Sequence, residues 1–212
     1  MNDTIYLEGG GGKKDSKALK LNCQKAFNTL LEKMGYSGRM PRLVASGSRD
    51  DTFSDFKIAL KSPKDRYIAM LIDSEDPVRN PEKPWGHLRR RDGWDRPDRS
   101  DDEDILLMMT CMETWIALDR EALREYYNKR GKIQESALPP LSGIEGRHRH
   151  DVQNGLMQAT RNTTQPYAKG KVSFELVGML NPDVLEEHLV AFQRMKRILD
   201  EKLQGRVKND TS

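Results

Sequence analysis

Tyr67-Ile68-Ala69-Met70-Leu71-Ile72-Asp73-Ser74-Glu75-Asp76 is the stretch on which the fold turns. Ile68 to Ile72 form an uncharged, mostly bulky run that passes directly into three acids within four positions. A short continuous apolar run closed by a polar turn predicts a strand buried on both faces, as inside a parallel sheet. Such a strand delivers its next residues to the carboxyl edge of the sheet, where open α/β folds place their sites. In extended geometry Asp73 and Glu75 point to one side and Ser74 to the other. Two carboxylates on one side, ~7 Å apart along the strand, repel each other unless a cation lies between them. Hard oxygen ligands of this kind suit Mg²⁺ or Mn²⁺. The competing reading is a strand that ends in a solvated acidic turn.

Upstream, Ile5-Tyr6-Leu7 reads as a short strand ending at Glu8 and the glycine run Gly9–Gly12. From Ser16 to Met34, apolar residues at Leu19, Cys23, Ala26, Phe27, Leu30, Leu31 and Met34 form a helical stripe that Gly35 ends. Leu43–Ser46 predicts a second strand, and Asp50 or Asp51 can cap a second helix carrying Phe53, Phe56, Ile58, Ala59 and Leu60. The order β-α-β-α-β argues for a parallel α/β sheet with right-handed crossovers. Residues 1–76 are the core of that domain.

Downstream the character changes. Residues 77–104 are rich in Pro, Arg, Asp and Trp and have no periodicity, which predicts a long functional or mobile loop. Residues 105–204 read as the helical remainder of the same domain, a C-terminal elaboration over one end of the sheet. Ile105, Met108, Met109, Met112, Trp115 and Ile116 mark one face of a long helix continuing to Tyr126. Asp151–Thr160 reads as helix, Lys169–Leu180 as helix or strand, and Pro182–Leu203 as one amphipathic helix. The tail, residues 205–212, is expected to be disordered.

With 36% hydrophobic and 33% charged residues, the sequence describes a polar globular domain. Its net charge of +3 does not by itself require a polyanionic partner. The longest aliphatic runs, Ile68–Ile72 and Ile105–Met109, fall far short of the ~20 residues that span a bilayer. Asp3 and Glu8 replace the basic start of a signal peptide, so a cytoplasmic protein without a membrane partner is expected. Cys23 and Cys111 fall on apolar helical phases and predict buried free thiols.

If the first and third strands are neighbours, Glu8 and Asp73 end at the same edge, and glycine after Glu8 lets a phosphate or metal approach the backbone. Glu8 with Asp73, Glu75 and Asp76 then forms a site suited to Mg²⁺-assisted phosphoryl transfer. A hydrophobic strand followed by Glu-Gly, a helix, and a later strand ending in acid-x-acid resembles the Toprim domains of topoisomerases, primases, RNA-maturation nucleases and OLD-type phage-defence nucleases. Glu8 matches that family's strand-one glutamate, Asp73 its first aspartate and Glu75 its second. Glu75 departs from the usual aspartate by one methylene, which leaves Glu75 and Asp76 as rival metal ligands. The resemblance covers residues 4–76.

The whole chain is also similar to a bacterial family of unknown function through Glu8-Gly9-Gly10, Ala45-Ser46-Gly47-Ser48-Arg49, Leu71–Asp76, Met112-Glu113-Thr114-Trp115 and Tyr167-Ala168-Lys169-Gly170. That likeness implies a Toprim-like protein paired with an ABC-type ATPase in defence. OLD-type nucleases use a late lysine to stabilise the pentavalent phosphate, a role the resemblance offers to Lys169. Glu113 borders the apolar stripe and is either a further metal ligand or a boundary glutamate paired with Arg or Lys.

Trp85 to Trp94 interleaves aromatics with Arg89, Arg90 and Arg91. Arginine on phosphate with Trp94 stacked on a base is how single strands are gripped, although the acids from Asp92 to Asp104 can pair with those arginines instead. Gly9–Lys14 lacks the spacing and Ser/Thr of a Walker loop. His148-Arg149-His150 has no cysteine nearby, so a solvated loop is expected there rather than zinc. The expectation is a Mg²⁺- or Mn²⁺-dependent nuclease acting on RNA or DNA beside a separate ATPase. Its rivals are a non-catalytic regulator docking on the ATPase through the Met-rich helix or Pro182–Leu203, and a metal-dependent phosphotransferase.

Overall fold

A computed structural model describes residues 3–9, 17–61 and 66–203. The glycines after Gly9, Ser16, and the tail 205–212 lie outside them. Four strands, β1 (Thr4–Glu8), β2 (Arg42–Gly47), β3 (Ile68–Asp73) and β4 (Ile105–Met108), form one parallel sheet in the order β2-β1-β3-β4. The central pair is β1 and β3, so Glu8 and Asp73 leave the sheet side by side.

β3 shows why an unbroken apolar run was needed. Ile68, Met70 and Ile72 enter one core with Phe53, Phe56, Trp85 and Leu88, while Ala69 and Leu71 enter the other with Ile5, Leu7, Phe27 and Trp115. Alternate side chains face opposite layers, and both layers are covered. Helix α1 (Lys17–Leu31) links β1 to β2, and Gly35, at φ 88°, ends the widened turn Glu32–Tyr36 that comes after it. Helix α2 (Arg49–Ala59) links β2 to β3. Its cap is Ser48, whose Oγ accepts from the Asp51 amide at 3.2 Å, not Asp50 or Asp51 as expected. Ser48 stands in extended backbone ahead of the first turn, where a capping side chain is needed.

The segment 77–104 is not a structureless loop. It contains helix α3 (Pro84–Asp92), with proline at its start and Gly93 at φ 70° after its end. Trp85 and Leu88, three positions apart, bury its inner face. The long helix expected from Ile105 is also corrected: Ile105–Met108 is strand β4, and helix begins only at α4 (Met112–Leu118). Ile105, Leu107 and Met109 face one core, and Leu106 and Met108 the other. A five-residue apolar run fits a buried strand and a buried helix equally, and here the free edge of β3 took it. Met108 and Met109 are therefore buried in the two cores, and Met112 is partly exposed.

Asp119 separates α4 from α5 (Arg120–Tyr127); its carboxylate accepts from Ala122 N at 3.0 Å and from Asn181 N at 2.8 Å. Helices α6 (Arg149–Thr160) and α7 (Lys171–Met179) come next, and α7 packs on α1. The last predicted helix is two, α8 (Pro182–His188) and α9 (Val190–Leu203), parted by extended backbone at Leu189. Arg194 of α9 donates to the carbonyls of Ile105 at 2.7 Å and Asp102 at 2.5 Å, which blunts the outer edge of β4. Cys23 and Cys111 are buried free thiols, as expected. Among the described residues no helix is long and apolar enough to cross a membrane. The expected α/β class, a parallel sheet flanked by helices, is borne out and is consistent with a Toprim-like fold.

Candidate functional site

Glu8 and Asp73 meet where β1 and β3 end. Glu8 Oε2 accepts from the Asp73 amide at 3.1 Å and from Arg49 Nη1 at 3.2 Å. Asp73 Oδ1 accepts from the Met112 amide at 2.8 Å. Burial pushes the Asp73 carboxyl well above its usual range; the nearby Glu8 and Glu113 charges add to this, and Lys169 and the Met112 amide oppose it. Burial raises Glu8 as well, against the pull of Arg49. An acid held above its usual range by burial and by two neighbouring acids favours its neutral form.

Glu75 joins them by an unexpected route. A strand persisting to Asp76 is the expectation from sequence, but β3 ends at Asp73 and Glu75 takes φ 68°. Ser74 N donates to Met108 O at 2.9 Å and Glu75 N to Thr110 O at 2.7 Å, which fixes the turn against the segment after β4. A left-handed backbone at a non-glycine residue costs on the order of 1–2 kcal/mol, and its result here is to aim the Glu75 side chain at the site. Glu8, Asp73 and Glu75 each present a carboxylate oxygen within 4.8 Å of the others. Among the described residues this is the one group of three such ligands. Asp76 turns away, exposed, 3.3 Å from Arg91.

This placement brings Glu75, and not Asp76, to the other two acids. Glu75→Gln is expected to weaken Mn²⁺ binding by more than about 10-fold, and Asp76→Asn by less than that, since its carboxylate acts from outside the cluster. Glu75→Asp should retain part of the affinity, because aspartate tolerates the left-handed backbone better but reaches less far. Titration calorimetry on the three variants checks the order; a larger loss in Asp76→Asn would remove Glu75 from the site.

Beside the three acids opens a cleft of about 380 Å³, lined by Glu8, Gly9, Gly47, Asp73, Met112, Glu113, Lys169 and Ser173. Glu113 is 1% exposed yet reaches this cleft. It accepts from Tyr167 Oη at 3.0 Å and Gln153 Nε2 at 3.4 Å, with Lys169 Nζ at 3.5 Å. Tyr167 Oη lies 2.8 Å from Ser173 Oγ, which accepts from the Gly170 amide at 3.2 Å. Glu113 is thus paired with a lysine and lines the same cleft as Asp73, and it is not part of the Glu8–Asp73–Glu75 group. Lys169 places its ammonium in the same space.

Two predicted nucleic-acid contacts are turned inward. Arg91 pairs with Glu75 at 3.2 Å and with Asp92, and Trp94 stacks on Phe53 with centroids 4.1 Å apart and has the Arg49 guanidinium 5.1 Å from its ring. Arg89, 3.5 Å from Asp95, and Arg90 stay on the surface. Residues that sequence reasoning missed complete the site. Arg49 bridges Glu8, the Asp73 carbonyl and Asp92 at 2.9 Å, and Arg149 pairs with Glu75. Arg49 was findable, because it comes after β2 at the same sheet edge as Glu8. Arg149, in the supposed solvated loop, had no such signal; it is the first residue of α6. The flanking His148 and His150 are exposed and join no ligand cluster among the described residues.

No curated protein and no solved structure matches the chain. A family model does, over residues 18–200, a span that holds Asp73, Glu75, Glu113 and Lys169. The chain belongs to that family, the domain of unknown function DUF4276.

Proposed function

We propose that this chain is a Mg²⁺- or Mn²⁺-dependent nuclease, cleaving phosphodiester bonds of RNA or DNA in the manner of Toprim-like enzymes beside a separate ABC-type ATPase. The observation that carries the reading is the convergence of Glu8, Asp73 and Glu75 within 4.8 Å at the carboxyl edge of the sheet. An all-oxygen donor set of this kind suits a hard divalent cation.

Glu8, Asp73 and Glu75 would hold the ion, which supplies Lewis-acid polarisation of a phosphoryl oxygen when bound. Arg49 fixes Glu8 in place through its guanidinium, itself held by Asp92 and Trp94. Lys169 puts an ammonium into the cleft where charge builds on the phosphate during displacement. Tyr167 and Ser173 keep Glu113 facing that lysine.

The test is cleavage of RNA and DNA, single- and double-stranded, with Mg²⁺ or chelator, with and without the partner ATPase. Lys169→Ala is expected to lower the cleavage rate about 10²–10³-fold, the cost of losing one charge-stabilising donor, while binding Mn²⁺ at least as tightly as the wild type. Cleavage that persists in chelator would overturn the reading.

A further inference from the structure

Two guanidiniums converge on the Glu75 carboxylate. Arg91, in the last turn of α3, and Arg149, opening α6, both reach its carboxylate. Arg91 has Asp76 and Asp92 as well, but among the described residues Glu75 is the one ion-pair partner of Arg149. The side chains of Arg91, Arg149 and Glu75 are 24%, 29% and 17% exposed, so the cluster is open to small solutes while poorly screened. A carboxylate drawn toward two guanidiniums is a weakened ligand for a divalent cation. Two guanidinium forks from separate helices are also well suited to a tetrahedral oxyanion.

Resting on the metal-site reading of Glu8, Asp73 and Glu75, we propose that Arg91 and Arg149 form the site for a substrate phosphate, which the Glu75 carboxylate occupies in the free protein. Phosphate on the arginine pair releases Glu75 to the cation, and cation on Glu75 releases the arginines to phosphate. Each ligand displaces the other's competitor, so the two bind with positive and reciprocal coupling. Cation alone or phosphate alone binds weakly. The three acids already stand together, and the cation binds them tightly when a phosphodiester has taken the arginines.

The experiment is Mn²⁺ calorimetry on the full chain, with and without sulfate, and with and without a thymidine dinucleotide, at ionic strength matched with chloride. Sulfate stands in for the tetrahedral anion without precipitating Mn²⁺ or being cleaved. Either anion is expected to tighten Mn²⁺ binding by a factor within the ordinary range of coupling, about 5–150-fold. Arg149→Ala should bind Mn²⁺ more tightly than wild type in chloride alone and lose most of the anion effect. Arg149→Lys, which keeps the charge but not the fork, should fall between them. Arg149 is the half-exposed first residue of a helix, and a melting curve for each variant establishes that it is folded. Tightening that survives unchanged in Arg149→Ala is direct coordination of the metal by the anion and overturns the proposal. Mn²⁺ binding that needs Asp73 but ignores the anion also overturns it, and leaves the metal site standing. Absence of Asp73-dependent Mn²⁺ binding under every condition overturns both.

Discussion

Asp73→Asn is expected to raise the melting temperature of the metal-free chain while weakening Mn²⁺ binding more than about 100-fold, beyond the usual cost of losing an outer-shell partner. Asparagine keeps the side-chain oxygen that accepts from the Met112 amide, so the contact anchoring α4 survives. The substitution removes a charge that burial, Glu8 and Glu113 all oppose. A gain of about 1 kcal/mol would register as roughly 2–4 °C in a chain of this size. The same charge gives the pH dependence a definite sign. A carboxyl raised on folding contributes stability in its protonated form, fully present below the unfolded pKa and lost as pH climbs through the folded one. Metal-free wild type should therefore lose stability on that climb, and Asp73→Asn should lose less. Mn²⁺ binds the deprotonated acids, so its affinity should rise with pH. Melting curves from about pH 4 to about pH 8, with chelator and with Mn²⁺, check each part. Equal slopes for the two proteins in chelator would mean that Asp73 is not strained by its neighbours.

The largest effect on stability is expected at Trp115→Ala, a loss of about 3–5 kcal/mol. Trp115 is fully buried, 5.1 Å from Phe192 at an interplanar angle of 81° and 6.5 Å from Phe27. It joins α4 to α9 and α1, so truncation opens a void where three helices meet. At roughly 2–4 °C per kcal/mol the melting temperature should fall by roughly 6–20 °C. The indole Nε1 has no hydrogen-bond partner among the described residues. Trp115→Phe therefore removes a buried unpaired donor along with some volume, and should cost much less than alanine. A chemical denaturation series on the two variants separates the contributions. Near-equal losses would show that the indole nitrogen matters more than the ring's packing.

Three strands and three helices, the third being α6 from Asp151, were legible because each signal was local. Ile68–Ile72 could only be buried on both sides, the stripe of α1 runs without a gap to Gly35, and the acids after Ile72 mark a sheet edge. β4 was not legible, since Ile105–Met109 runs on into the apolar stripe of α4 and no period separates strand from helix there. The rest of the site was hidden for another reason. Glu75 reaches Asp73 through a turn held by the Thr110 carbonyl, a partner far along the chain. Arg149 and Tyr167 reach the acids only across the packed molecule, and no spacing in one sequence records such a meeting. Pro84 and Gly93 did mark a helix within 77–104, but the charges around them obscured it.

The cleft beside the three acids has one wall built early in the sequence and one built late. Glu8, Asp73 and Glu75 come from its first part, and Lys169 faces them from beyond α6. At ~5–20 residues per second of synthesis, the residues between Glu75 and Lys169 take roughly 5–20 s to appear. During that interval a nascent chain carries the acidic edge with its arginines and without the lysine that lines the cleft. The final turn before α7 must then come back to the first strand, a closure spanning most of the sequence. A ribosome stalled between Glu75 and Lys169 thus leaves a fragment with the acids and without the ammonium.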